Sequence, residues 1–197
     1  MCTADGVPVV WAQRLFGDRD ARRVYGPDLM QEGLARAARE GWRVAFYGGR
    51  PEALDALLRR VRKRHPGLSI VLAESPPFRP LSEEEERSLQ QRFERADPQL
   101  VWVGLGCPKQ ERWMHEHVER VPGVMFGVGA AFDFHAGIVR QAPAFLQKIG
   151  MEWFFRLLCE PRRLFKRYAT TNPIYVFKLG LQVFSRHILR RKYQVRH

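Results

Sequence analysis

Cysteine is scarce in these 197 residues: Cys2, Cys107 and Cys159 are all there is. They lie far apart, form no CxxC pair and are odd in number. That argues against a disulfide framework or a cysteine zinc site and fits a reducing compartment. Long apolar runs are missing as well. No uninterrupted stretch reaches the about 18 residues expected of a spanning helix. Met1 is followed by neither a basic stretch nor an apolar core, so no signal peptide is expected. There is no internal repeat and no low-complexity tract. No full GxGxxG or GxxxxGK[ST] occurs, which leaves the generic nucleotide signal weak. No spacing of His, Asp and Glu suggests a metal site, and His135 reads as a structural histidine.

What is present is an ordinary globular composition, 45% hydrophobic and 27% charged, in a chain long enough for one domain with a core plus an appendage. The net charge of +12 is unevenly placed. Between Arg156 and His197 lie 11 lysines and arginines against one acid, Glu160, so the rest of the chain is nearly neutral. A basic tail of this kind calls for an anionic partner, nucleic acid or a phospholipid surface.

Short apolar runs alternate with helical patterns. Residues 43–47, 68–73, 99–103 and 123–128 read as strands, and 28–40, 51–65, 83–96 and 110–120 as helices, with Ser82 an N-cap before an acidic first turn. Strand and helix in this rhythm imply a Rossmann-like α/β domain, a parallel sheet covered by helices. The strands are almost continuously apolar, as a sheet with both faces covered requires. Residues 1–10 offer at most one short strand. The sheet should therefore have three or four strands, or lack amino-terminal sequence that would complete it and leave an edge uncovered.

From about Ala142 the character changes, with Pro143, Pro161 and Pro173 punctuating helical stretches rich in aromatics and arginine. The division expected is an α/β domain over 1–141 and a helical, basic, amphipathic appendage over 142–197. Within 174–189, Lys178, Gln182 and Arg186 recur at a four-residue step, a polar stripe on an otherwise apolar helix suited to a membrane interface.

Three glycine turns follow strand ends: Gly48-Gly49, Gly104-Leu105-Gly106 and Gly127-Val128-Gly129. Glycine there either simply ends strands or lets backbone N–H groups approach phosphate at the carboxyl edge of a sheet. The segment from Gly104 to Trp113 is sharper. Pro108 fixes a turn that presents Lys109, Gln110 and Glu111 at a helix start, where anions are attracted and Gln110 can read a sugar hydroxyl or amide. Glu111 is equally a favourable acid in a first helical turn. Asp5, in an Asp-Gly pair, is a turn residue or, at the sheet's carboxyl edge, a group able to take a proton from a hydroxyl. Asp133, between two phenylalanines, is a capping acid or a hydrogen-bond acceptor for a base edge. Arg156 and Arg163, with Lys166 and Arg167 after them, form a solvated basic face or a diphosphate clamp. Interleaved aromatics also suit single-stranded nucleic acid, but that reading leaves the neutral body and the glycine turns without a purpose.

Taken in order, ADGVPVVWA, YGPDLM, VAFYGG, SPPFRPLS, VGLGCPKQERW, GVGAAFDFHAG, APAFLQKIGMEW and RLLCEPRRLFKRY resemble the WecG/TagA/CpsF glycosyltransferases, glycosyltransferase family 26. The resemblance implies an inverting, UDP-sugar-dependent hexosyltransferase. It would move an N-acetylmannosamine-type sugar onto undecaprenyl-diphosphate-linked N-acetylglucosamine in teichoic acid or other cell-surface polysaccharide synthesis. It implies no metal and no cofactor. Asp5 would be the general base, Gln110 a pocket residue, Asp133 a neighbour of the uracil, and Arg156 and Arg163 diphosphate ligands, with Lys166 and Arg167 beside them. Lys166 stands where arginine is usual and cannot offer a forked contact. The implied partners are the UDP-sugar, a lipid-linked acceptor and an anionic membrane, with no nucleic acid. The implied location is peripheral, on the cytoplasmic face of the bacterial inner membrane. An uncovered sheet edge or the tail gives a route to a homo-oligomer. Members of the family carry further sequence before the ADG motif, and its absence here would leave an inactive, shortened relative.

Overall fold

The computed structural model describes the backbone of residues 3–194. It describes the side chains in that span except those of Ala144, Lys148, Arg163, Arg167 and residues 187–194. The chain divides into two units: Val24–Gln141, continuous in sequence, and a second built from Met1–Arg23 together with Ala142–His197. Residues 1–23, expected in the α/β domain, group instead with the C-terminal segment.

The continuous unit is α/β. Helix α2 (Gly26–Glu40) leads to β1 (Arg43–Gly48), α3 (Pro51–Arg64), β2 (Ser69–Glu74), α4 (Glu83–Ala96), β3 (Leu100–Gly104), α5 (Lys109–Glu116), β4 (Val124–Gly127) and α6 (Ala131–Ala136). The described strands form one sheet of order β2-β1-β3-β4, parallel throughout. The four-stranded sheet agrees with the short count expected from the sequence.

Side chains alternate across a strand, and that alternation divides the core in two. Val44, Phe46, Leu100 and Trp102 point to one face, where Met30, Leu34 and Ala37 of α2, Leu54, Leu57 and Val61 of α3, and Phe132 of α6 cover them. Ala45, Tyr47, Val101 and Val103 point to the other, under Leu89 and Phe93 of α4 with Trp113 of α5. Strands β1 and β3 read as unbroken apolar runs because neither of their faces meets water. Helix α4 begins as expected: the Ser82 side chain accepts from the Glu85 N–H and the Glu85 carboxylate accepts from the Ser82 N–H, a reciprocal cap.

The crossover β1-α3-β2 runs outward in one direction, while β2-α4-β3 passes back across β1. The two helices therefore lie on opposite faces, and strand order reverses between β1 and β3. In such sheets the crevice beyond the carboxyl ends at the reversal is where ligands bind.

The second unit is helical: α1 (Val7–Leu15), α7 (Ala144–Lys148), α8 (Glu152–Cys159) and α9 (Pro161–Gln194). Where the sequence offers at most one short strand, in residues 1–10, helix α1 begins at Val7. Pro8 sits in its first turn, where a missing N–H costs nothing and a fixed φ favours the helix. Pro173 does not punctuate; it lies inside α9. The Tyr175 hydroxyl donates to the Pro8 carbonyl at 2.9 Å, and the Arg186 guanidinium donates to the Phe16 carbonyl at 2.6 Å, so α9 holds α1. Lys178 and Gln182 line a cleft with Phe16 and Asp18 of the same unit. The polar stripe thus faces α1, and Ile174, Phe177, Leu181 and Phe184, spaced as one helical stripe, are exposed.

Candidate active site

At the strand reversal the glycine turns meet backbone to backbone. The Gly49 N–H donates to the Gly104 carbonyl at 3.1 Å, and the Val128 N–H donates to the Val103 carbonyl at 2.9 Å. Gly48 is in register with Gly104. The Ser75 hydroxyl, from the loop after β2, donates to the Gly49 carbonyl at 2.6 Å and fixes that turn. A side chain at Gly104 would fall 2.6 Å from the ring of Phe132. Phe132 is itself buried edge-on against Phe46, and α6 is thereby pinned to the carboxyl edge.

The loop to α5 contains the cis Cys107–Pro108 bond, and Pro108 is the N-cap of α5. The Gln110 N–H donates to the Gly106 carbonyl at 3.0 Å. Its side chain is 8% exposed and packs where β4 ends: a Cβ at Gly127 would lie 3.0 Å from Nε2, and one at Gly129 3.3 Å from Oε1. Nε2 donates to Glu111 at 3.0 Å, while Oε1 accepts from no donor among the described residues. A buried carbonyl oxygen in that state is held ready for a hydroxyl or amide donor. Lys109, Pro108 and Glu111 are exposed beside it, and Asp133 is half-buried in the first turn of α6. Gly48, Gly49, Gly106, Pro108, Lys109, Gln110, Glu111, Gly129 and Asp133 therefore belong to one edge of the continuous unit.

Asp5 and Arg156 belong to the other unit, and there they line the same open pocket of about 540 Å³, with Arg23, Glu152, Trp153 and Tyr168. Asp5 precedes α1, and its carboxylate is 69% exposed. Arg23 secures the turn that presents it: Nε donates to the Asp5 carbonyl at 2.5 Å, and the guanidinium pairs with Glu152 at 2.5 Å and approaches the Asp5 carboxylate at 4.0 Å. Trp153 and Tyr168 meet edge-on across the wall, 6.2 Å between centroids. Lys166 is exposed on α9 and does not line this pocket. The side chains of Arg163 and Arg167 lie outside the described residues.

Sequence reasoning passed over Arg23, Tyr168 and Ser75. Glu152, in the quoted EW run, offered a signal: a carboxylate beside an arginine-rich stretch needs a cationic partner. That the partner would be Arg23, 129 positions earlier, was not readable. Among the described residues no three His, Cys, Asp or Glu side chains gather as a metal site would require.

A parallel α/β sheet with glycine loops at its reversal point offers a ligand crevice on a framework that many kinds of enzyme share, so the fold alone does not name the reaction. The chain belongs to the Glycosyl transferase WecG/TagA/CpsF family, whose profile matches residues 1–189. It is therefore a member of a glycosyltransferase family, with a sugar donor and an acceptor.

Proposed function

We propose that the protein is an inverting glycosyltransferase that moves an N-acetylmannosamine-type sugar from a UDP-sugar to a lipid-linked N-acetylglucosamine diphosphate. The observation that carries this reading is that Asp5 and Arg156 line one pocket: a carboxylate able to accept a proton and a guanidinium able to hold a diphosphate. The Asp5 carboxylate takes the proton of the acceptor hydroxyl as its oxygen bonds the anomeric carbon. The bond from that carbon to the diphosphate oxygen breaks, and UDP leaves with the electron pair. One displacement needs one base, so a second carboxylate has no necessary role. Arg156 offers a forked pair of donors to the leaving diphosphate.

The reaction is tested by incubating the chain with UDP-N-acetylmannosamine and a short-chain polyprenyl-diphosphate N-acetylglucosamine and following disaccharide-lipid formation. Absence of transfer from every UDP-hexosamine tried would defeat the reading. Arg156→Ala should raise KM for the donor roughly 10- to 100-fold, since a charged hydrogen bond to phosphate contributes about 1.5–3 kcal/mol. An unchanged KM would remove Arg156 from donor binding.

A lipid-borne acceptor requires the enzyme to meet a membrane surface. The exposed apolar stripe of α9 and the basic tail support peripheral docking, since each basic residue near an anionic leaflet adds about 1 kcal/mol. No helix among the described residues is long and apolar enough to cross a membrane. Phe177→Gln combined with Leu181→Gln should lower co-sedimentation with phosphatidylglycerol vesicles at least about tenfold, because each change removes apolar area worth roughly 1.5–3 kcal/mol when fully buried and a fraction of that at an interface. Undiminished co-sedimentation would point to another surface.

A further inference from the structure

Helix α3 ends in more positive charge than a helix terminus needs. Arg59, Arg60, Arg62, Lys63 and Arg64 fill five of the six positions before His65. The negative end of a helix dipole amounts to roughly half a charge. Part of the run lines a cavity of about 670 Å³ in the α2–α3–α6 layer, whose walls include Arg60, Lys63, Arg64, His65, Phe134 and His135. That size falls within the roughly 300–1,000 Å³ of small-molecule sites. None of the candidate active-site residues lines it, and neither does any carboxylate.

The cations there are not committed to acids. Among the described residues no ion pair involves Arg60, Lys63 or Arg64. Arg64 donates to the neutral Gln31 side chain at 3.1 Å. The Arg60 guanidinium lies across Gly137 at the end of α6, so close that a Cβ there would sit 2.3 Å from it. His135 is held by a 2.9 Å contact between Nε2 and the Pro27 carbonyl. Burial, and then Arg64, lower the pKa of both His65 and His135; the Pro27 carbonyl and Asp28 oppose this at His135. The floor is apolar, with Leu34, Val61 and Phe134.

We infer that this cavity is a second, separate binding site for a phosphate-bearing ligand with an apolar portion. Arg64 and Arg60 present planar forks, Lys63 a point charge, and the Phe134 side receives the apolar part. A lipid headgroup and a soluble phosphate compound share that chemistry. The site goes beyond sugar transfer and does not depend on it.

The test follows the ring resonances of His135 in the full chain as inorganic pyrophosphate is added. A saturable shift is expected, and Lys63→Gln with Arg64→Gln should weaken it at least about tenfold. Thermal melting confirms that the double variant is folded. Arg156→Ala should leave the His135 response intact, which separates this cavity from the pocket assigned to the donor. In a parallel arm, a matching loss of binding to phosphatidylglycerol/phosphatidylcholine vesicles by the double variant assigns the site to lipid headgroups. Unchanged vesicle binding assigns it to soluble phosphates. The inference is overturned if His135 is unmoved at millimolar pyrophosphate or if the double variant responds like the parent.

Discussion

Replacing Asp5 by Asn should lower kcat for sugar transfer by about 10²- to 10⁴-fold, the usual contribution of a positioned general base. Stability should stay within about 0.5 kcal/mol of the parent, as for exposed substitutions outside the core. The two expectations separate because of how the turn is held. Arg23 binds the backbone carbonyl of residue 5, and that bond survives the substitution. The closer partner of the Arg23 guanidinium is Glu152 at 2.5 Å, against 4.0 Å to the Asp5 carboxylate. Asparagine keeps the shape and the turn and removes the carboxylate's charge and its ability to take a proton. KM values should move little. Turnover like the parent's would take Asp5 out of the mechanism, and a large fall in melting temperature would make its role structural.

Replacing Gly48 by Ala should destabilise the α/β unit by about 3 kcal/mol or more, from overpacking and a disfavoured backbone together. The backbone there has φ +121°, and the added methyl would sit 2.6 Å from the carbonyl carbon of Gly104 and 2.8 Å from its oxygen. Those are backbone atoms of a paired central strand, so nothing nearby can rotate away. The melting temperature should fall by roughly 10 °C, and the contact from the Gly49 N–H to the Gly104 carbonyl would be strained with it. Gly41→Ala is the control: φ is +68°, but nothing lies within 4 Å, so its loss should be about 1 kcal/mol. Equal melting temperatures for the two variants would show that the close approach of β1 and β3 carries no energetic weight.

Much of the α/β unit was legible because its signals are local. Val44-Ala-Phe-Tyr47 and Leu100-Val-Trp-Val103 are apolar without interruption, which happens when both faces of a sheet are covered. Pro51 and Ser82 mark helix starts, and glycines mark strand ends. The amino-terminal helix was misread because Val7, Val9 and Val10 carry strand propensity, which the placement of Pro8 and the packing of Val10 with Ala4 and Ala21 override. The candidate site was readable as a set of residue types but not as an arrangement. Nothing in the order of the chain says that Gln110 is buried with an open carbonyl oxygen, since burial follows from β4 and α5 packing together. Nor does it show Arg23 reaching Glu152, or the polar stripe of α9 turning toward α1. Spacing gives the face of a helix; only the neighbour decides which face is turned inward.

The pocket bearing Asp5 draws on both ends of the sequence, whereas Val24–Gln141 is one uninterrupted stretch. On the ribosome the sheet can assemble as soon as it emerges, and domains generally form as units in that order. The wall around Arg156 and Tyr168 is translated after the sheet and must close over a loop of more than a hundred residues. A nascent chain therefore holds the Asp5 carboxylate without the Arg156 guanidinium until the whole α/β unit has been made, so the pocket that joins them forms after the sheet.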